Sequence, residues 1–351
     1  MRARRLARSA LTQRSRALVD VARQAGGIHA QVQASAELQL ASRVDGVTQQ
    51  DVRDALWRDR TLVKAWTLRG TLHVHPAEEL PLWLAARSRR EELDEWRDLA
   101  GVLHAAVGAD EVRELRAAVW AAFSGEPLLR DELVERVVRS VGKRHEGRLR
   151  SGFAFFTDEL CQGPPQGNRI TLVRPDQWLG KWKPVGRTKA VREILRRFLY
   201  AYGPARPADF RAWFGADVPF DSVGVDEVDV DGHRAFVLPG DTDFPKPGGK
   251  SVRLLPEYDV YVMGFREREH LVPERVREQV SSHGRGRYEG PAGVRFLLVD
   301  GVAAGLWERK KSSKRLEVAV APAGRVNRAA LKLEVERFGA FLGVEPVLAV
   351  N

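Results

Sequence analysis

The order of helical and strand-like segments in the first eighty residues constrains the fold more than any other feature of this chain. Apolar residues recur with a helical period in residues 11–25, in residues 29–42 and again after Thr48, which offers an N-cap. The period then changes to that of strands in residues 62–68 and 71–75, which flank Arg69-Gly70 as a tight turn. Three helices followed by a hairpin is the order of a winged helix.

The same order recurs twice further along the chain, without obvious sequence identity between the copies, which is typical of a tandem array. A segment rich in Gly, Pro and Asp, residues 240–249, then predicts a linker. The second copy consists of helical residues 77–147 and 151–161 and a strand at 169–173, and the third of helices at 191–202 and 207–214 and strands at 227–230 and 234–238.

Strand patterns dominate the chain beyond the linker. They cover residues 252–255, 260–263, 294–299, 303–308 and 316–321, and one helix is predicted over 327–342. We therefore predict an α+β protein of three tandem winged-helix units followed by a small β-rich C-terminal module. The predicted boundaries are 1–80, 81–185, 186–245 and 246–351.

The balance of charge favours a polyanionic partner. The chain of 351 residues carries 57 Lys and Arg against 47 Asp and Glu, and its pI is near 10. Together with a winged-helix array this excess of positive charge predicts binding to DNA. Two alternatives remain open at this point, because some basic proteins never contact DNA and the charge of a structural protein can serve solubility alone.

Cysteine content and hydropathy bear on the compartment. A lone Cys161 excludes an internal disulfide and a thiolate zinc cluster, which fits a reducing cytoplasm and predicts a packed side chain. No apolar run approaches the ~20 residues that span a bilayer. The basic residues 1–18 lack the apolar core of a secretory signal, and they fit an organellar presequence or, as we favour, a phosphate-facing helix. We expect a monomeric cytoplasmic protein without a membrane partner.

A cluster of neutral hydrogen-bonding side chains follows the break at Gly26-Gly27. It consists of His29, Gln31 and Gln33, at the start of the second predicted helix. Such a cluster resembles a hydrolytic site that uses neither a metal nor a carboxylate, so no cofactor is expected. A glutamine or histidine near a glycine break is nevertheless more often a solvated or capping side chain than a catalyst. The motifs of nucleotide-binding loops, zinc proteases and serine hydrolases do not occur in the chain.

Several other side chains are candidates for contact with the DNA backbone. His73 and His75 alternate by two and share one face of the hairpin, where they either lie near DNA or are half-covered by the first helices. A metal site at this pair is conceivable, but two histidines alone are weak evidence for one. The remaining candidates also fit solvated turns and consist of Arg69, of Arg285 and Arg287 in a Gly-rich loop, and of Lys310, Lys311 and Lys314 in a dense basic turn.

Several segments together resemble the winged-helix DNA glycosylases of the AlkZ and YcaQ type, over nearly the whole chain. The resemblance implies three winged helices and a C-terminal β-rich module that form a basic concave surface for duplex DNA. It also implies excision of alkylated bases, including bulky N7-guanine adducts and, in some members, unhooking of interstrand crosslinks. The segments are Gly26 to Gln31, Leu68 to His73, Tyr202 to Phe210, Leu254 to Asp259 and Leu298 to Gly301.

The catalytic signature of that family is a polar pair around one aliphatic residue, commonly Gln-x-Gln or Gln-x-Asp. The resemblance places this pair at His29 and Gln31 around Ala30, with His29 in place of the first glutamine. A second register uses Gln31 and Gln33. Gln31 belongs to the motif in both.

Hydrolysis of an N-glycosidic bond passes through an oxocarbenium-like state, which requires a held water and stabilised positive charge on the sugar. A base alkylated at N7 is already cationic and leaves as a neutral molecule, so carbonyl dipoles and a positioned water suffice. We therefore expect a monofunctional DNA glycosylase that hydrolyses N7-alkylguanine or N3-alkyladenine in double-stranded DNA and leaves an abasic site. The alternative is a winged-helix DNA-binding regulator without catalysis.

Overall fold

The computed structural model describes residues 1–87, 109–180, 183–246, 251–265, 267–282 and 293–350, and we refer to these as the described residues. The helices are α1 (Arg2–Arg8), α2 (Leu18–Gln24), α3 (Gln33–Ala41), α4 (Gln49–Trp57), α5 (Leu80–Ala86), α6 (Ala109–Ala121), α7 (Arg130–Val141), α8 (Glu146–Ser151), α9 (Phe153–Phe156), α10 (Pro175–Leu179), α11 (Arg187–Tyr202), α12 (Pro207–Phe214), α13 (Val260–Met263), α14 (Glu274–Ser282) and α15 (Arg328–Leu342).

The strands are β1 (Ile28–His29), β2 (Leu62–Trp66), β3 (Leu72–Pro76), β4 (Leu128–Leu129), β5 (Cys161–Gln166), β6 (Arg169–Val173), β7 (Asp226–Val230), β8 (His233–Val237), β9 (Val252–Leu255), β10 (Phe296–Val299), β11 (Val302–Lys311), β12 (Arg315–Pro322) and β13 (Glu345–Val350). None of the described helices is long and apolar enough to cross a membrane.

The first two predicted units share one sheet, which the sequence did not reveal. Its six strands run in the order β1-β3-β2-β5-β6-β4, and β2 pairs with β5 through Lys64 opposite Gln162 and Ala65 opposite Cys161. Because β5 covers one edge of the β2–β3 hairpin and β1 covers the other, this hairpin lies inside a sheet. Its side chains are buried along both strands, with only Trp66 partly exposed.

In the first unit, the structure corrects two predicted helices. The predicted helix over 11–25 begins only at Leu18, because Ser15 instead pairs its backbone with Arg43 and Val44. The predicted helix over 29–42 begins at Gln33, because Ile28 and His29 form a short strand against β3. The hairpin and α4 are as predicted, and α4 begins with a capping box in which Thr48 and Asp51 exchange hydrogen bonds.

In the second unit, the predicted helix over 151–161 is limited to the single turn of α9. The chain then enters β5, which runs through two prolines to Gln166 and shifts its register against β6 between Gly163 and Gln166. A bulge of this kind accommodates residues without a backbone N–H. Cys161 is fully buried, as expected.

The C-terminal module is a five-stranded sheet in the order β13-β12-β11-β10-β9, covered on one face by α15. The final strand β13, parallel to β12, was not predicted. The predicted strand over 260–263 is instead the short helix α13, capped by the side chain of Asp259. Apolar residues of this sheet and of α15 share one core with α2 and α3, so the N-terminal helices pack directly on the C-terminal module.

Candidate active site

Three histidines lie side by side on one face of the β1–β3 pair. His29 is directly opposite His73 in the antiparallel register, and their rings meet edge to face with centroids 5.2 Å apart. His75, two residues further along β3, lies 6.0 Å from His73 and stacks at 4.1 Å on Trp83. All three side chains are buried, with exposed fractions of 6%, 2% and 0% along the series from His29 to His75.

The glycine break before β1 is required by this packing. Gly26 and Gly27 both have positive φ, at 68° and 102°, which end α2 and turn the chain into β1. A Cβ atom on Gly27 would lie 2.3 Å from Cε1 of His75, a ring that has no room to move. The glycine pair therefore sets the distance between α2 and the histidine face.

Burial keeps the three imidazoles neutral. It lowers the pKa of His29 to about 4, with the positive charges of Arg69 and Lys64 acting in the same direction. Burial, followed by the charge of Arg197, lowers the pKa of His75 to about 3, and burial also holds the pKa of His73 well below its usual value. The ring of His75 shares a hydrogen bond with the Thr67 hydroxyl. At neutral pH this face is polar but carries no charge of its own.

The two glutamines of the motif have different surroundings. Gln31 is exposed, and its amide oxygen accepts a long hydrogen bond of 3.4 Å from the backbone N–H of Leu72. Gln33 is half-buried, and both ends of its amide are bound, since its oxygen accepts from Lys64 at 3.0 Å and its nitrogen donates to Glu37 at 3.3 Å. Gln31 is thus available to another molecule, whereas Gln33 is part of the internal structure.

A buried carboxylate lies behind Gln33, and sequence reasoning did not find it. Glu37 is 1% exposed and also accepts hydrogen bonds from Gln49 and Arg53 of α4. Burial lowers the pKa of Lys64 to about 8, while Glu37 acts in the opposite direction. Gln33 bridges Lys64 and Glu37 by hydrogen bonds, and these contacts fix the start of α3 next to the histidine face. The sequence signal that could have identified this carboxylate is the position of Glu37 one helical turn after Gln33.

The C-terminal module contributes a loop that forms another wall of the site, a second feature missed by sequence reasoning. The ring of Tyr258 lies 5.3 Å from the ring of His29 in a tilted stack. Tyr258 has a φ of 59°, which is rare for a residue with a side chain. Asp259, the next residue, forms a fully buried bidentate ion pair with Arg43, two residues beyond the end of α3, at 2.7 and 2.8 Å.

The histidines of the β2–β3 hairpin, which the sequence placed either near DNA or half-covered by the first helices, are buried in the structure. His73 and His75 are covered by β1, Trp83 and the neighbouring elements, and neither reaches the surface. Arg69, at the tip, has a φ of 51° and donates to the backbone carbonyl of Trp213, so its guanidinium points inward. The hairpin is therefore a structural part of the site.

The remaining predicted DNA contacts lie elsewhere. Lys310, Lys311 and Lys314 are exposed at the end of the β11–β12 hairpin. Arg285 and Arg287 lie outside the described residues. In the described ranges no three His, Cys, Asp or Glu side chains are grouped as a metal ion would require.

The chain is similar to known DNA glycosylases in sequence and in structure. The family model for AlkZ-like DNA glycosylases matches residues 22–341. An interstrand DNA cross-link repair glycosylase of Streptomyces sahachiroi is 32% identical over 317 residues, which cover 82% of this chain and 81% of the relative. The solved structure of the Streptomyces sahachiroi DNA glycosylase AlkZ superposes with a TM-score of 0.82 at 28% identity, covering 100% of this chain and 97% of the other.

These matches confirm the predicted family and the mixed α+β fold, and they favour an enzyme over a non-catalytic regulator. The chain belongs to the AlkZ-like DNA glycosylases.

Proposed function

We propose that this glycosylase hydrolyses the N-glycosidic bond of alkylated purines in double-stranded DNA and leaves an abasic site. Its substrates are N7-alkylguanine or N3-alkyladenine and include bulky adducts and interstrand crosslinks. The name of the Streptomyces sahachiroi relative, a cross-link repair glycosylase, supports the crosslink as a substrate. No resident cofactor is part of the proposal.

The observation that carries the proposal is the pairing of a neutral imidazole with an exposed amide. His29 and Gln31 are two residues apart on an extended segment, with the buried Ala30 between them. Both side chains accept hydrogen bonds, so together they hold a water molecule against the sugar carbon. An imidazole with a pKa of about 4 is a weak base, and it orients the water rather than removing its proton before the bond breaks.

The absence of charge on the histidine face suits the leaving group. A purine alkylated at N7 departs as a neutral molecule, so the site needs no strong acid to protonate it. Positive charge develops on the sugar instead, and a protonated imidazole beside it would oppose the reaction. Neutral rings at His29, His73 and His75 avoid this repulsion, and amide dipoles favour the developing cation.

The surroundings favour the register that uses His29 and Gln31. Gln33 has both ends of its amide bound to Lys64 and Glu37, so it positions the start of α3 rather than the water. We assign Gln33 a supporting role and Gln31 the larger part in catalysis.

The duplex is held on a basic concave surface formed by three winged-helix units and the C-terminal module. We assign residues 1–80, 81–185 and 186–245 to the three units and 246–351 to the module. The exposed lysines of the β11–β12 hairpin contact phosphates, because they extend from the same strand as Arg309, which lies 3.7 Å from Glu257 beside Tyr258. Lys311 follows Arg309 by two residues and so shares its face of β11, and the turn that carries Lys314 follows directly.

A base-release assay tests the proposal directly. DNA with a single N7-alkylguanine is incubated with the protein, and abasic sites are converted to strand breaks. We expect single-turnover rates to fall by about 100-fold in Gln31→Ala and in His29→Ala, and by about 10-fold or less in Gln33→Ala. Gln50→Ala is the matched control, since Gln50 is an exposed glutamine on α4 that bonds only to Asp54 among the described residues.

Two results would contradict the assignment. If wild-type protein released no alkylated purine, the substrate class would be wrong. If the wild type were active while His29→Ala kept its rate and Gln33→Ala lost it, the second register would be the catalytic one, and a Gln31→Ala variant that kept its rate would contradict both registers.

A further inference from the structure

We propose that Tyr258, supplied by the C-terminal module, is a positioning residue that fixes the orientation of the His29 ring and excludes water from one of its faces. This inference rests on the proposed function, in which His29 holds the reacting water. It gives the C-terminal module a part in catalysis in addition to any part in DNA binding.

The ring of His29 is enclosed from two directions. His73 presents an interplanar angle of 89° at 5.2 Å, and Tyr258 lies at 33° and 5.3 Å. Nδ1 of His29 is fully buried and has no hydrogen-bond partner among the described residues. Because no hydrogen bond from the described residues holds Nδ1, packing against the two rings sets the orientation of the imidazole.

The Tyr258 loop is held by three polar side chains, two on α3 and one just beyond its C-terminal end. Ser35 and Gln39 are four residues apart and therefore share one face of the helix. The Ser35 hydroxyl donates to the backbone carbonyl of Glu257, Gln39 accepts from the backbone N–H of Val260 at 3.2 Å, and Arg43 pairs with Asp259. Each of the three is buried, so water does not compete for these bonds.

Gln39 links the loop to the catalytic strand. Its amide nitrogen donates to the backbone carbonyl of His29 at 3.0 Å, while its amide oxygen accepts from the loop at Val260. One rigid side chain thus sets the distance between the backbone of His29 and the loop that carries Tyr258. Both ends of the amide are satisfied, so the spacing is well defined.

The backbone at Tyr258 carries strain that its neighbours hold in place. A φ of 59° costs free energy for a residue with a side chain and persists only where surrounding contacts over-determine it. On one side Glu257 accepts two hydrogen bonds from Arg295, at 2.7 and 3.1 Å, and on the other Asp259 is paired with Arg43. The two ion pairs hold the strained backbone of Tyr258 in place. Such an arrangement is expected where the direction of the side chain matters for function.

The groups that face His29 explain why the ring of Tyr258 matters for keeping the imidazole neutral. Arg69 and Lys64 lower the pKa of His29 through their positive charge, and His73 and Tyr258 enclose it. Burial is the largest cause of the lowered pKa, which is about 4. Removing the Tyr258 ring admits water to His29, so the imidazole becomes easier to protonate.

The experiment compares Tyr258→Ala, Tyr258→Phe and wild type in the single-turnover base-release assay between pH 5 and 8. We expect Tyr258→Ala to lose about 10- to 100-fold in rate at pH 7.5 with little change in DNA affinity. We also expect an acidic limb to appear toward about pH 6, because the pKa of His29 rises toward its ordinary value. Tyr258→Phe keeps the ring and should recover the profile of the wild type. Tyr200→Ala, which removes an exposed tyrosine of α11, is the matched control.

A second measurement separates this inference from the proposed function. The His29 ring is followed by NMR in the free protein, without DNA, as the pH is lowered. A higher pKa in Tyr258→Ala than in Tyr258→Phe supports positioning by the ring even if His29→Ala proves fully active, an outcome that would reject only the catalytic role of His29. An unchanged His29 titration in Tyr258→Ala overturns the inference, whatever the activity. If Tyr258→Ala does not fold, Tyr258→Leu replaces it in both measurements under the same criteria.

Discussion

The β2–β3 and β11–β12 hairpins look alike as sequences and differ in the structure. Each combines strand-like residues with a basic, polar turn, and both were predicted to contact the DNA backbone. In the structure the first lies inside a sheet and presents His73 and His75 to the interior. The second ends in solvent with Lys310, Lys311 and Lys314 exposed. The difference shows that the elements that cover a hairpin, rather than its composition, decide whether its side chains are buried or exposed.

The covering elements come from distant parts of the chain. For β2–β3 they are β1 on one edge and β5 on the other. For β11–β12, β13 pairs with β12 up to Arg315 beside the turn, but β10 pairs with β11 only as far as Leu306, so Lys310 and Lys311 extend beyond β10. If the two hairpins differ in function as they do in burial, substitutions in the first should affect stability and substitutions in the second should affect DNA binding.

The largest expected effect is a loss of stability in acid. It is caused by His75 of the buried hairpin and by His29 on the neighbouring strand. The folded pKa values of His29 and His75, about 4 and about 3, lie below the ordinary 6.5. The unfolded chain therefore binds protons first, and the stabilisation present above pH 6.5 decreases as the pH falls. At pH 5 each of the two histidines should have removed about 2 kcal/mol from the free energy of unfolding.

Denaturant titrations between pH 7.5 and 5 measure this loss. His270 contributes in the same direction, because burial lowers its pKa to about 4, so a His270→Gln background isolates the site histidines. Substitution of the three exposed lysines should leave the pH dependence unchanged. A free energy of unfolding that stayed constant down to pH 5 would mean that the site histidines are charged or exposed, against their burial here.

The next effect concerns the glycine that allows the buried hairpin to pack. Gly27→Ala places a methyl group 2.3 Å from Cε1 of His75 at a φ of 102°. The clash and the backbone strain together should lower the free energy of unfolding by about 3 kcal/mol. Gly46→Ala is the matched control, since Gly46 has a φ of 72° but open space around it, and it should cost only about 1 kcal/mol. Equal losses in both variants would show that His75 can move aside.

Local features of the first unit could be predicted from the sequence. Thr48 and Asp51 predict the start of α4, and Arg69-Gly70 predicts the turn between β2 and β3. Both signals depend only on neighbouring residues. The strand that carries His29 is two residues long and exists only through pairing with β3. Periodicity cannot reveal such a strand, and the predicted helix therefore began four residues too early.

The sequence predicted the central residues of the candidate site but not the residues that surround them. His29 and Gln31 followed from the glycine break and from resemblance to a family. Tyr258 was missed, because its proximity to His29 depends on α3 packing against the C-terminal module, and Gln39 was missed, because its bond to His29 depends on how α3 folds back on β1. Residues 260–263, rich in β-branched side chains, looked like a strand, but caps from Asp259 and Gln39 make them helical. Tertiary contacts outweighed the local preference in this segment.

A smaller effect is expected for the exposed hairpin. Replacing Lys310, Lys311 and Lys314 together by alanine should weaken duplex binding by about 10-fold at physiological salt, because phosphate contacts release counterions. The salt dependence of the logarithm of affinity should also become shallower, by up to about 3 in slope. Base release at saturating DNA should keep its rate. Unchanged affinity and slope would show that the hairpin is merely solvated, which was the alternative interpretation of its sequence.

The smallest effect is expected for Arg69, the basic residue at the tip of the buried hairpin. Its guanidinium donates to the carbonyl of Trp213, so Arg69→Met should leave the salt dependence of duplex binding unchanged while lowering the free energy of unfolding by about 1 to 2 kcal/mol. Fluorescence anisotropy at several salt concentrations measures the first quantity and denaturant titration the second. A slope that became shallower by about 1 would place Arg69 against a phosphate, as the sequence alone had suggested. The hydrogen bond from Arg69 to the Trp213 carbonyl would then have to break when DNA binds. Burial in the free protein would in that case not predict which of the two hairpins contacts DNA.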